Sequence, residues 1–191
     1  MPMKSVDPAQ PPRRRRSVIT TILLIIGALI AALLVYAATR PDSFRLERSA
    51  TIAAPPDAIY PLISDFHEWR KWSPYENLDA DLKRTYSGAP SGLGAVYEWD
   101  GAKAGAGRME ITEATPSSRI TIKLDFSKPF AAHNTAEFTL SPMEGGTTVT
   151  WAMSGDSPYM AKLMGVFFSM DQLVGKDFET GLANLKAVTE N

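Results

Sequence analysis

Residues 157–188 read SPYMAKLMGVFFSMDQLVGKDFETGLANLKAV, and this stretch decides the fold. Its apolar side chains fall at Met160, Leu163, Phe167, Met170, Val174, Phe178, Leu182, Leu185 and Val188, in steps of three and four that make one helical stripe. Lys162, Asp171, Lys176, Asp177, Glu179, Asn184 and Lys186 take the other side. Ser157-Pro158 predicts an N-cap with proline at the first helical position. Ser169 and Gln172 have the spacing of a second capping box. The pattern predicts a short helix, a kink and a long helix of about 30 Å. One neighbouring helix cannot bury such a stripe. It needs a broad apolar surface, and the sequence upstream supplies one.

Residues 44–52 alternate, with Phe44, Leu46, Ala50 and Ile52 on one face and Arg45, Glu47, Ser49 and Thr51 on the other, the pattern of a half-buried strand. Arg48 falls on the apolar face. The Pro55-Pro56-Asp57 run then starts a helix with Ile59, Leu62 and Ile63 inward. Residues 65–75 (DFHEWRKWSPY) form a second short helix or an irregular turn. Further strands are expected at 81–87, 95–100, 108–114, 119–126, 134–142 and 147–155, separated by Gly-, Pro- and Ser-rich turns. Their parity is consistent. Tyr97 and Trp99, Met109 and Ile111, Ile120 to Phe126 in alternation, Ala136, Phe138 and Leu140, and Val149, Trp151 and Met153 share one side, while Thr, Lys, Asp and Glu take the other. Such a sheet is dry on one face and wet on the other. The expected fold is α+β: a curved antiparallel seven-stranded sheet around one long C-terminal helix.

The amino-terminal residues obey other rules. Residues 1–16 hold Lys4 and Arg13 to Arg16 against a single Asp7, and are expected to be a disordered basic tail. Residues 17–38 (SVITTILLIIGALIAALLVYAA) carry no charge and, as a helix, span about 33 Å, enough to cross a bilayer. The arginines before this run place the N-terminus in the cytoplasm and the following domain outside it, in the periplasm of a Gram-negative cell. Residues 35–37 also suit a signal-peptidase site, so a cleaved signal peptide is the rival reading. Residues 39–43 form a linker and residues 44–191 one globular domain. Six of the 20 basic residues and one of the 21 acidic residues precede Pro41, which leaves 14 and 20 and a net charge of about −6 for the remainder. An acidic domain argues against a nucleic-acid partner. The chain has no cysteine, and its two histidines, His67 and His133, have no zinc-ligand spacing. No pattern calls for a cofactor or a metal.

General acid–base chemistry needs a titratable group aimed at the substrate, and strand parity sends the carboxylates outward. His67 and His133 have no local nucleophile or acid beside them. The reading therefore leans away from an enzyme. Arg48 is the polar residue that parity turns inward, as a counter-charge for an acidic head group. Residues 88–94 are glycine-rich but lack the Gly-Lys-Ser/Thr ending of a phosphate loop, and lead into a strand. They are expected to form a flexible hairpin near a cavity mouth.

Several motifs carry a resemblance: 52–57 (IAAPPD) at the first strand–helix junction, Trp69 with 72–75 (WSPY), Gly92-Leu93-Gly94 with Tyr97-Glu98-Trp99, 105–111 (GAGRMEI), 146–151 (GTTVTW) and 174–182 (VGKDFETGL). Together, over residues 44–188, they resemble the helix-grip fold of the SRPBCC superfamily, which includes START lipid-transfer domains, and most of all its bacterial polyketide cyclase/dehydrase and lipid-transport branch. The resemblance implies a cavity between sheet and helix that holds hydrophobic ligands. Trp99, Phe126, Phe138, Trp151 and Met153 are the expected wall, with Arg48 as head-group partner. Leu93, Phe130, Met164 and Phe167, with the rest of 160–168, are the expected mouth. The function so implied is binding or transport of a hydrophobic or lipid-like molecule by a membrane-anchored domain. A cyclase- or dehydratase-like enzyme is the first alternative, and a protein-interaction module with a filled core is the second.

Overall fold

The computed structural model describes residues 13–167 and 170–191. Residues 1–12 of the expected disordered tail, the Ser169 capping contact and the place of Phe168 lie outside the described residues, while 13–16, expected in the same tail, are helical. Contacts divide the chain into two units, Met1–Arg40 and Pro41–Asn191. The first contains helix α1, Arg13–Ala38. Its segment Val18–Ala38 has a mean hydropathy of 3.0 and, among the described residues, is the one helix long and apolar enough to cross a membrane. A signal sequence has the same properties.

In the second unit seven strands run β1 (Ser43–Ile52), β2 (Lys83–Gly88), β3 (Ala95–Gly101), β4 (Gly105–Thr115), β5 (Arg119–Lys128), β6 (Ala132–Met143) and β7 (Gly146–Asp156). All neighbours are antiparallel, in the order β1-β7-β6-β5-β4-β3-β2. β2 to β7 form a meander, and β1 closes beside β7 with Ser43 opposite Asp156 and Ile52 opposite Thr147. Between β1 and β2 come helix α2 (Pro56–Ser64) and two 3-10 turns, Glu68–Lys71 and Pro74–Asn77. After β7 come a short helix α3 (Tyr159–Met164) and the long helix α4 (Met170–Glu190). This is the helix-grip arrangement.

The parity argument has a direct physical counterpart. Ile111, Ile120, Ile122, Phe138 and Val149 are wholly buried, and Phe178, Leu182 and Leu185 of α4 press on the same core. The strands extend the expected ranges by one to three residues because ladder pairing continues into the hairpin turns. β2 is the exception, starting at Lys83 rather than Asp81. Where α4 crosses the sheet, glycine makes room: a Cβ at Gly181 would lie 2.7 Å from Trp151 Cζ3 and 3.2 Å from Pro74 Cδ. The Trp151 and Phe178 rings then stack with centroids 3.9 Å apart and planes 7° from parallel.

The two ends of the sheet differ. The far end, at Ile52, Thr115 and Gly146, is tied by α2 and by the last turns of α4. The Ala53 N–H donates to Glu190 Oε1 at 2.7 Å, Lys186 Nζ to the Thr51 carbonyl at 2.9 Å, and Thr147 Oγ1 to the Ala54 carbonyl at 2.7 Å. The entry end, where the chain joins the sheet at Ser43, carries α3 and the start of α4. Truncating Phe178, which is 2 % exposed, removes the ring that joins α4 to the sheet. The Phe178→Ala variant is expected to lose about 3–5 kcal/mol of unfolding free energy, read from urea denaturation, with no change in the slope against denaturant.

Candidate functional site

Between the inner face of the sheet, the first half of α4 and the 3-10 turns lies a cavity of about 210 Å³. Tyr97 and Trp99 of β3, Met109 of β4, Leu124 and Phe126 of β5, Ala136 of β6 and Trp151 and Met153 of β7 form one wall. Val174, Asp177 and Phe178 of α4 form the other, and Trp69, Tyr75, Glu76 and Leu78 close it from the turns. Leu82 and Ala104, which flank β2 and β4, place the cavity toward the entry end of the sheet.

Aromatic contacts set the shape of the walls. Trp151 touches Phe138 at 5.0 Å, Trp72 at 5.6 Å and Tyr75 at 6.4 Å between centroids, and Trp99 meets Phe126 edge-on at 5.6 Å. The indole N–H groups of Trp69, Trp72 and Trp99 donate to the carbonyls of Ile63, Leu62 and Ala104. Trp151 Nε1 is buried with no acceptor among the described residues. Gly107 makes room for Trp99, whose Cη2 would lie 2.4 Å from a Cβ there.

Of the sequence-derived wall residues, Trp99, Phe126, Trp151 and Met153 line this cavity together. Phe138 does not: it is wholly buried beneath the wall, backing Trp151. Arg48 does not reach the cavity either. It leaves the dry face at the edge of α4, where its guanidinium meets Asp171 Oδ1 at 2.8 Å and Glu179 Oε1 at 2.7 Å, over the bare Cα of Gly175. The reason is reach, since a long side chain can take its charge to the rim while its stem stays on apolar surface. Leu93, Phe130, Met164 and Phe167 are 65 %, 82 %, 54 % and 64 % exposed and are not among the lining residues. Leu93 tips the β2–β3 hairpin at the far end, away from the cavity, whereas Phe130 and the α3 segment stand at the entry end. His67 bonds Asp65 and stacks on Tyr86, and His133 bonds Asp125 on the wet side.

Two carboxylates reach the cavity that sequence parity did not deliver. Glu76 sits on a 3-10 turn, where strand alternation says nothing, and its side chain is 4 % exposed. It accepts hydrogen bonds from Arg84 Nε at 2.6 Å and from the Tyr97 hydroxyl at 2.7 Å. Arg84 also donates to the carbonyls of Glu76 and Leu82, so the buried carboxylate has its counter-charge and the guanidinium its acceptors. Asp177 of α4 lies three residues after Val174 and four before Gly181, on the edge of the apolar stripe, a spacing that was visible in the sequence. Its carboxylate is close enough to Tyr75 to add to the effect of burial in raising that phenol's pKa. Among the described residues no cluster of three His, Cys, Asp or Glu side chains could hold a metal.

A curved antiparallel sheet gripping a long helix, with an aromatic cavity between them, defines a small-molecule-binding architecture of helix-grip type. The chain belongs to the polyketide cyclase / dehydrase and lipid transport family, an SRPBCC-type group whose profile matches residues 43–190. Solved structures share the fold. Protein CV1439 from Chromobacterium violaceum is 18 % identical with a TM-score of 0.55, over 80 % of this chain and 99 % of that one. Protein MLL2253 from Mesorhizobium loti is 16 % identical at 0.56, over 77 % and 97 %. Protein Ms6760 from Mycobacterium smegmatis is 21 % identical at 0.53, over 75 % and 89 %. No curated protein matches the chain.

Burial, followed by the neighbouring Glu76 carboxylate, raises the Tyr97 phenol well above its ordinary value of 10.0, and burial with Asp177 does the same for Tyr75. Above pH about 10 an unfolded chain releases these protons while the folded protein keeps them, so stability falls as pH rises. In an alkaline titration followed by tyrosinate absorbance, two of the six tyrosines are expected to ionise only on unfolding. The Tyr75→Phe/Tyr97→Phe double variant is expected to flatten the alkaline loss of stability.

Proposed function

We propose that this protein is a membrane-anchored binding protein that carries a hydrophobic small molecule between its sheet and α4. The observation that supports the reading most directly is the preformed cavity of about 210 Å³ with its aromatic and Met walls. Removing apolar surface from water stabilises a bound ligand by roughly 25 cal/mol per Å², so walls of this kind favour greasy molecules without much directional chemistry. Segment Val18–Ala38 serves as the anchor, Arg13 to Arg16 remain on the cytoplasmic side, and residues 44–191 form the binding domain outside it. Tethering at a bilayer keeps the domain where such molecules dissolve.

The polar groups refine the ligand class. Arg84 is held by Glu76 and two carbonyls, so it offers no free counter-charge to an acid, and Asp177 repels one. The ligand is therefore neutral rather than a free fatty-acid anion. The same two carboxylates favour a second reading, a cyclase- or dehydratase-like enzyme in which Asp177 or Glu76 handles a substrate proton.

Native mass spectrometry on Pro41–Asn191, the compact unit that holds the entire sheet and core, tests the first reading. A reproducible added mass, released by organic solvent, is the expected result. A clean mass that fatty acids, their esters and phospholipids all leave unmoved would sink it. A neutral ester is expected to bind at least about tenfold more tightly than the fatty acid of equal length, a difference of about 1.4 kcal/mol. Ala136→Phe, which places a ring where the wall now has a methyl, is expected to abolish the added mass in a protein that still folds. Conversion of the bound compound during incubation, lost in Asp177→Asn, would favour the enzyme.

A further inference from the structure

The entry end of the sheet exposes a set of large apolar side chains that the cavity does not use. Phe130 tips the turn between β5 and β6 and is 82 % exposed. Met160 and Met164 of α3 are 65 % and 54 % exposed, and Phe167 just beyond is 64 % exposed. Register places these segments at one rim: β6 starts beside the end of β7, with Asn134 opposite Gly155, and α3 follows directly from β7. Charge is withheld from the α3 surface. Between Pro158 and Phe167 the lone charged residue is Lys162, whose side chain is 8 % exposed and ion-paired with Asp42.

That same Asp42 says what covers the patch. Its carbonyl accepts the Ser157 N–H at 2.7 Å, so the linker strand and the start of the α3 segment are fastened together. The residues between Ala38, the end of the apolar helix, and Ser43, the start of β1, can span at most about 18 Å. Chain connectivity alone therefore keeps this rim within a short reach of the bilayer if Val18–Ala38 spans it, an inference that rests on the anchor reading above. We infer that Phe130, Met160, Met164 and Phe167 form a docking surface that inserts into the lipid interface and seats the cavity end of the domain on the membrane. Apolar side chains at a bilayer interface bury area that water would otherwise cover, and an uncharged patch needs no anionic lipid. The cavity lies toward the same end of the sheet through Leu82, Ala104, Phe126 and Met153, so docking there brings its contents near the lipid.

The chain has no cysteine, so single-cysteine variants give clean spin labels. The full chain in phosphatidylcholine vesicles would carry a nitroxide at Phe130→Cys, Met160→Cys, Met164→Cys or Phe167→Cys, with Glu144→Cys at the far end as the aqueous reference and Leu29→Cys reporting the anchor. Interfacial residues sit about 5–10 Å into the headgroup boundary, so their collision ratio of oxygen to a water-soluble nickel chelate is expected to exceed that at Glu144 by about threefold or more. Ratios equal to that at Glu144, while Leu29 reads lipid, would overturn the docking surface and leave the anchor standing. An aqueous reading at Leu29 would overturn both. Labels shielded from oxygen and nickel alike would assign the patch to a protein partner or a second copy, and so refute the lipid assignment.

Discussion

The contact on which the rest of the structure depends is the stack of Trp151 on Phe178, 3.9 Å between centroids, with Gly181 letting the helix come that close. Trp151 stands on β7 between Arg48 of β1 and Phe138 of β6, so the helix meets the sheet one strand in from its β1 edge. Trp69, Trp72 and Tyr75 reach the same indole from the 3-10 turns. One side chain thus joins sheet, helix and turns, and its remaining surface is cavity wall. Aromatic pairs of this kind add about 0.5–1.5 kcal/mol beyond the area they bury, and rigid rings hold a cavity open where flexible chains would collapse into it.

The asymmetry between the two ends of the sheet follows from what fills each. Toward the far end Ile52, Ile59, Ile63, Leu182 and Leu185 interdigitate, and hydrogen bonds from Ala53, Lys186 and Thr147 fasten the helix and the α2 junction to the strands. Toward the entry end bulky rings and methionines face Val174, Asp177 and Phe178 of α4 across the open space. Well-packed interiors have few voids larger than a water molecule, so a cavity of this size is a feature of the residue choice at one end. The Arg48 clasp on Asp171 and Glu179 links that half of α4 to β1.

Much of this was legible in the sequence, and the reasons differ by element. Period-2 alternation in six of the seven strands and the 3.6 period from Val174 to Leu185 are imprints of burial, so the sheet, the long helix and their dry faces could be read without coordinates, whereas Met160 and Phe167 continue the period but are exposed. Trp99, Phe126, Trp151 and Met153 follow from parity alone. Parity could not separate Phe138, which backs the wall, from Trp151, which faces the cavity, because both point inward and only depth distinguishes them. Nor does alternation extend to Glu76, on a 3-10 turn. Arg48 shows the opposite limit: its Cα sits where the pattern says, and four further bonds carry its charge elsewhere.

The polar groups of the cavity differ in what they are already engaged in. Glu76 spends its oxygens on Arg84 and Tyr97, and breaking such a buried pair costs several kcal/mol, so its carboxylate is more firmly committed to the fold than to a substrate. Asp177 lines the same cavity from the first half of α4. If chemistry takes place here, Asp177 is the carboxylate less committed to the fold than Glu76. Glu76 would instead hold Tyr97 and Arg84 in place, fixing the polar floor against which an apolar ligand is oriented.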